Sequence, residues 1–285
     1  MAHVVNKEAD AILDKEFKVL DHGFVRLVDY MGSDDAIVQA ARVSYGAGTK
    51  KVSEDRGLIR YLMRHKHTTP LEMVEFKFHV KLPIFVARQW IRHRTANVNE
   101  YSGRYSVMKD EFYIPESAEI RYQSTVNKQG RSSKEVPEEL KSEMLSYMQN
   151  SQKETYETYM KYVDEGLARE LARINLPLSM YTEWYWKIDL HNLFHFLRLR
   201  IDPHAQKEIQ VYGEVMAMMA QKVCPIAYEA FMDYQVNSMY FSGVEMNILK
   251  DYLKEFNMTE EELHAKGISK REAKEMIEKL DKLKE

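Results

Sequence analysis

Between Val74 and Leu82 the chain alternates strictly: Val74, Phe76, Phe78, Val80 and Leu82 are apolar, and Glu75, Lys77, His79 and Lys81 between them are polar. A period of two puts one set on each face of a pleated strand. One face must therefore meet a core while the other meets water, the usual condition of antiparallel sheets. A second run repeats the pattern, with Met180, Thr182, Trp184, Trp186 and Ile188 alternating with Tyr181, Glu183, Tyr185 and Lys187. Two long strands so far apart in sequence pair over long range and need helices to cover them. The expected class is α+β, with an antiparallel-type sheet covered by many helices.

The helices announce themselves by caps and period. Phe24–Tyr30 reads as a further strand. Asp34–Tyr45, a segment opened by Ser53, Ile84 to about His93, Pro137–Leu171, Pro225–Tyr234 and Ser242–Phe256 read as helices. Thr69-Pro70-Leu71-Glu72 matches a capping box. Asp189 is expected to cap a helix to Arg200, and Asp202-Pro203 to start another that runs to Lys222. Glu111–Pro115 reads as a short strand and the polar stretch Gln123–Lys134 as a mobile loop. Capping boxes at Thr259/Glu262 and Ser269/Glu272 precede a charged tail. The chain is expected to divide into a main domain, 1–240, and a helical extension, 241–285.

Bulk properties exclude several classes. A net charge of −3 provides no global attraction for nucleic acid or anionic lipid. Leu82–Ile91 is interrupted by Arg88 and Gln89, so no segment is expected to span a membrane. The single cysteine, Cys224, excludes an internal disulfide and fits a reducing, cytoplasmic setting. It lies in an apolar helix junction with no adjacent cation, which predicts a buried structural thiol.

The segment richest in chemistry runs from Arg88 to Tyr105. Arg88 and Arg92 share one helix face, with Gln89 and His93 on the next. The chain then turns irregular at Asn97 and Asn99 and reaches Ser102-Gly103-Arg104. There a glycine can offer backbone N–H groups to an anion and an arginine can clamp it with a planar fork. Clustered arginines alone would also suit a solvated helix end. The mixture of donors with the acceptor Glu100 favours a nucleotide, because a pyrimidine's imide and carbonyls need both.

Arg92-His93-Arg94, followed by Ser102-Gly103-Arg104-Tyr105, resembles the signature of the flavin-dependent thymidylate synthases. Ala41-Arg42-Val43-Ser44, His65-x-His67-x-Thr69-Pro70-x-Glu72, Pro83-Ile84-Phe85-Val86-Ala87-Arg88-Gln89-Trp90, Ala172-Arg173-x-x-Leu176-Pro177 and Leu199-Arg200-x-Asp202-x-His204-Ala205-Gln206 continue the likeness along most of residues 20–235. The resemblance implies a homotetramer with active sites shared between subunits. It also implies transfer of methylene from methylenetetrahydrofolate to dUMP, with hydride from FAD and NADPH as the reductant.

Carried across, Gln89, Arg92, Glu100, Tyr101, Ser102, Gly103, Arg104, Arg173 and Arg200 would hold dUMP. Arg200, Ser102 and Arg173 would stand nearest the reaction, the two arginines coming from a neighbouring subunit. His67, Thr69, Arg92, His93, Arg94, Asn99, Glu100, Asp189, His191, His195 and His204 would contact FAD. Asp189, His191 and His195 replace the Asn, Arg and Asn of some relatives, and Asn97 replaces a serine. His191 and His195 share a helix face, but no carboxylate or thiol completes a metal signature, so no metal is expected. Ser102 has no recognisable base, which favours binding over attack.

Overall fold

A computed structural model describes residues 5–43, 52–126, 128–253 and 257–284. Ser44, Tyr45 and residues 254–256, at the ends of two expected helices, lie outside that set. The chain forms two compact units, Met1–Val236 and Asn237–Glu285. In chain order the first carries α1 (Lys7–Asp10), β1 (Glu16–Val19), β2 (Gly23–Met31), α2 (Asp34–Val43), α3 (Val52–Arg64), β3 (Glu75–Pro83), α4 (Ile84–Trp90) and β4 (Asn97–Glu100). It continues with β5 (Arg121–Gln123), β6 (Arg131–Glu135), α5 (Glu138–Asp164), α6 (Arg169–Ala172), β7 (Tyr181–Asp189), α7 (Leu190–Arg200), α8 (Lys207–Val223) and α9 (Pro225–Phe231). The second unit holds α10 (Gly243–Leu253), α11 (Glu260–Ala265) and α12 (Lys270–Lys284).

The main sheet has the order β1-β2-β3-β7-β4, and every pairing is antiparallel. Both alternating runs are its central strands. They pair without a register break, Phe78 opposite Trp186 and His79 opposite Tyr185. Phe76, Phe78, Val80 and Leu82 are wholly buried together with Trp184, Trp186 and Ile188. Lys77, Tyr185 and Lys187 on the opposite face are exposed. The core lies between the apolar face and α4, α7 and α8, which contribute Trp90, Phe194, Phe196, Leu197, Tyr212 and Met216. A smaller cluster, Met108, Phe112, Tyr159 and Met180, seats α5.

Several expected elements form differently. Strand β1 alternates over only four residues, Glu16-Phe17-Lys18-Val19, too short a run to stand out, and it pairs with β2 along its whole length. Thr69-Pro70-Leu71-Glu72 is a single 3-10 turn, Thr69–Met73, without a side-chain cap. Asp202 does not start α8. Its carboxylate bonds the His204 backbone N–H at 2.7 Å and the His204 ring at 2.9 Å, a local turn that delays the helix to Lys207. Glu111–Pro115 makes only one isolated bridge, Phe112 to Met180.

The polar stretch 123–134 is part of a β5–β6 hairpin rather than an irregular loop. Its polar side chains bind within it, as Gln123 Nε2 does to the carbonyls of Lys128 and Gly130 at 2.7 and 3.0 Å. Arg131 then reaches out to the buried carboxylate of Glu208 on α8, which Tyr113 Oη also meets at 2.9 Å. In the second unit Thr259 and Glu262 form a full capping box, and Ser269 and Glu272 bond each other's backbone N–H groups.

Asp189 caps α7 as expected, accepting from the Asn192 backbone at 2.9 Å. At the other end of the sheet, the ideal Cβ position of Gly23 lies 2.1 Å from Tyr212 Oη and 2.6 Å from the Val19 carbonyl. Tyr212 is fully buried and donates to the Lys81 carbonyl at 2.8 Å, so it cannot step aside without losing that bond. Gly23→Ala should therefore destabilise the fold by about 2–3 kcal/mol, the usual cost of overpacking an enclosed site. Denaturant unfolding reads this as a lower midpoint, and an unchanged midpoint would show that β1 and β2 yield freely.

Candidate nucleotide site

Trp90 sets the origin of the site. Pro83, held at φ −64°, leads into α4, and the helix ends by driving Trp90 fully into the core. There it meets Trp184, Trp186, Phe196 and Tyr212 at ring-centroid distances of 5.7, 5.3, 4.7 and 6.0 Å. With that ring anchored, the next residues leave the helix at the surface: Arg92 and Arg94 are exposed and His93 is half-buried. β4 then pairs along the edge of β7, Asn99 opposite Tyr185 and Glu100 opposite Trp184. Glu100 accepts from Thr182 Oγ1 at 2.8 Å, which fixes its carboxylate against the sheet.

Beyond β4 the backbone turns tightly. The Ser102 carbonyl accepts from the N–H groups of Tyr105 and Ser106 at 3.1 and 3.0 Å, and Ser102 Oγ accepts from Arg104 N–H at 3.3 Å. Gly103 is buried inside the turn. A Cβ placed there would lie 2.8 Å from Met108 Sδ and 3.1 Å from an Arg173 guanidinium nitrogen. Only glycine allows the sulfur and the guanidinium to close on the backbone from two directions. Arg104 pairs with Glu170 at 3.0 Å in an exposed setting, so that contact exchanges easily with an incoming anion.

A second group forms where α4 meets α7. Arg200 Nε donates to His93 Nε2 at 3.1 Å, and His195 lies beside His93 at 5.8 Å between ring centroids. Arginine keeps its proton, so His93 Nε2 must supply the lone pair and the ring's own N–H is on Nδ1. Burial, then Arg200 and then His195 push the His93 pKa down to about 4, leaving it neutral at pH 7. Both terminal nitrogens of Arg200 remain available. A cleft of about 200 Å³ opens alongside, lined by Trp90, His93, Arg94, Ala96, Val98 and Trp184.

Many arginines elsewhere on the chain are matched, as in Arg26–Asp14, Arg42–Asp55, Arg56–Glu229 and Arg131–Glu119, whereas Arg198, on the same helix as Arg200, has no carboxylate partner among the described residues. Among the described residues Arg88, Arg92, Arg94, Arg173 and Arg200 have no carboxylate partner. Gln89 adds a buried amide oxygen without a donor. A concentration of uncompensated guanidinium groups around a glycine turn and a neutral histidine is a place prepared for a polyanionic ligand.

The structure brings together Ser102, Gly103, Arg104 and Arg173 in one group, and His93, His195 and Arg200 in another. Arg173 and Arg200, expected from a neighbouring subunit, each reach part of the Arg92–Arg104 segment within a single chain. His67, Thr69 and His204 are exposed and touch neither group by hydrogen bond, ion pair or ring contact. Asp189 spends its oxygens on Asn192 N and Nδ2, and His191, half-buried, is on the first turn of α7. No histidine or carboxylate touches Ser102 Oγ among the described residues, so nothing there could remove its proton. Cys224 is fully buried, and burial raises its thiol pKa well above the ordinary value. Among the described residues no group of three or more His, Cys, Asp or Glu side chains could hold a metal ion. The partners of the turn that sequence did not point to, Glu170 and Arg169, belong to α6, whose four residues leave no periodic trace.

The His93 shift has a consequence for stability. Its pKa is lower folded than unfolded, so between pH 6.5 and about 4 the unfolded chain binds more protons and stability falls as pH falls. His93→Gln should remove part of that acid sensitivity. Thermal melts of both proteins from pH 7 to 4.5 test it, and parallel curves would place the sensitivity elsewhere.

Comparison with known proteins identifies the family. The family model described as thymidylate synthase complementing protein matches residues 26–226. A flavin-dependent thymidylate synthase of Wolbachia pipientis is 57% identical over 97% of this chain and 96% of its own. One from Treponema denticola is 60% identical over 85% of this chain and 91% of its own. Among solved structures, a UMP/dUMP methylase, PolB, from Streptomyces cacaoi, bound with 5-Br dUMP, superposes with a TM-score of 0.70 at 33% identity, covering 78% of this chain and 100% of that one. A match over residues 26–226 and relatives more than half identical along nearly the whole chain show that it belongs to the thymidylate synthase complementing protein family, that of the flavin-dependent thymidylate synthases.

Proposed function

We propose that this protein methylates dUMP to dTMP, taking methylene from methylenetetrahydrofolate and hydride from FAD that NADPH has reduced. The observation that carries this reading is the set of arginines without carboxylate partners around Gly103 and His93. Arg104, Arg173 and the Ser102–Arg104 turn would hold the nucleotide phosphate. Gln89, with its unsatisfied amide oxygen, and Glu100, held by Thr182, would meet the uracil edge, with Tyr101 and Arg92 beside them.

The residues at the other group fit a flavin. The aromatic-walled cleft beside His93 suits a planar ring, and Arg92 and Arg94 are uncompensated cations suited to a pyrophosphate. FAD bound there would supply the hydride that completes the methyl group. His93 would offer one defined donor, Nδ1–H, while Arg200 turns its terminal nitrogens toward whichever ligand carries negative charge. His67, Thr69, Asn99, His191, His195 and His204 would complete the flavin contacts. They reach it if subunits assemble as a homotetramer that shares its sites, since within one chain His67, Thr69 and His204 stand apart from both groups. We place the protein in the cytoplasm, in keeping with a buried free thiol; no helix among the described residues is long and apolar enough to cross a membrane.

A visible spectrum of the purified protein should show flavin bands, and dUMP, methylenetetrahydrofolate and NADPH together should yield dTMP. No flavin, even after reconstitution, would overturn the reading. Arg104→Ala should weaken dUMP binding by about 1.5–3 kcal/mol, the worth of a charged hydrogen bond, and leave the flavin in place. Loss of flavin instead would reverse the division of the arginines. Cys224→Ala should keep full turnover, because a fully buried neutral thiol cannot attack uracil.

A further inference from the structure

The turn that would receive the nucleotide phosphate is held from behind by a set of hydroxyls. Tyr159 on α5 is almost wholly buried, and its Oη accepts from the Met108 N–H at 3.0 Å. One helical turn before it, Tyr156 Oη donates to the Met108 carbonyl at 2.9 Å. Tyr101, just ahead of the turn, donates to the Val107 carbonyl at 2.7 Å and so ties the two ends of the 101–107 segment together. Both polar groups of the Met108 backbone thus belong to α5. The Met108 side chain, in turn, is what lies against Gly103 opposite Arg173. Met108 is itself buried in the cluster that includes Phe112, Tyr159 and Met180.

These contacts make a short mechanical line: α5 hydroxyls to the Met108 peptide, Met108 sulfur to Gly103, Gly103 to the Arg173 guanidinium. The Met108 peptide is the fixed point of that line, since both its N–H and its carbonyl are bonded by α5. A Met108 peptide released from α5 moves its sulfur, and the glycine turn and Arg173 no longer close on each other. Both tyrosine hydroxyls are engaged by the Met108 peptide. Their contribution is geometry.

We propose that Tyr156 and Tyr159 are positioning residues for the phosphate-binding turn at Ser102–Arg104, acting through the Met108 peptide. This rests on the assignment of that turn to the nucleotide phosphate. It adds that the preorganisation of the turn is a property of α5, whose two tyrosines lie 48 and 51 residues beyond Met108 in the chain. A turn fixed before the ligand arrives spends less of the binding free energy on ordering itself.

The test compares dUMP with deoxyuridine, which lacks the phosphate, by calorimetric titration of the flavin-loaded enzyme and of its Tyr159→Phe and Tyr156→Phe variants. Tyr159→Phe strands a buried N–H and should weaken dUMP roughly ten-fold. Deoxyuridine affinity should change less than two-fold, and KM for dUMP should rise while kcat holds within about two-fold. Tyr156→Phe, whose ring stays in place and whose hydroxyl is less buried, should give the same pattern more weakly and serves if the first variant folds poorly. Equal losses for both ligands, a fall in kcat at constant KM, or a lower melting temperature with unchanged dUMP affinity would each overturn the proposal. If the wild-type enzyme itself binds dUMP no better than deoxyuridine, the phosphate assignment fails instead, and the two failures are told apart by that single control.

Discussion

The pairing of β3 with β7 is the interaction on which the rest of the structure depends. It is antiparallel and unbroken over nine residue pairs, and it lays Phe76, Phe78 and Val80 beside Trp184, Trp186 and Ile188 on one face. That joint apolar surface gives Trp90 somewhere to go. Burying the indole ends α4 at a fixed place and sends Arg92, His93 and Arg94 outward. The same β7 then offers its free edge to β4, which carries the chain to Glu100 and the glycine turn. Both polar groups hang from one strand pair, although neither has a residue in its hydrophobic centre.

The electrostatics follow from this frame. Guanidinium groups over most of the surface find carboxylates, which gain little individually but satisfy the charge. Around Gly103 and His93, Arg92, Arg94, Arg173 and Arg200 have no carboxylate partner among the described residues, and only Arg104 finds one. Arg200 is half-buried, and burial lowers its pKa from the usual arginine value. It uses one nitrogen to fix the histidine tautomer and retains the two that form the fork. A site of this kind gains more from binding an anion than a paired one, because no internal salt bridge must first be broken. Arg104 differs, since its Glu170 partner must be displaced, but the pair is exposed and therefore weak.

The β5–β6 hairpin contributes no strand to the main sheet. The hairpin is held by Arg131 on the buried Glu208, a charge that would be costly to bury without that partner.

Sequence alone determined the features whose physics is local. Alternation at Val74–Leu82 and Met180–Ile188 declared two half-buried strands, Asp189 declared a helix start, and the reciprocal pairs Thr259/Glu262 and Ser269/Glu272 declared two more. The arginine and glycine pattern from Arg92 to Arg104 was legible because its meaning is carried by order and spacing. Where two local signals competed, the sequence was ambiguous: Asp202-Pro203 looks like a helix cap, yet the Asp202 carboxylate closes a turn on His204 instead. Tertiary structure decided what depends on distant partners. β1, whose alternation spans only four residues, is settled by its pairing with β2, and the polar stretch 123–134 becomes a hairpin because its side chains satisfy one another and Arg131 finds Glu208. Nothing near Gly103 in sequence shows that Arg173 lies across it, that Glu170 awaits Arg104, or that two α5 tyrosines hold the Met108 peptide. Those relations arise from packing between segments tens of residues apart, and a period or a motif cannot record them.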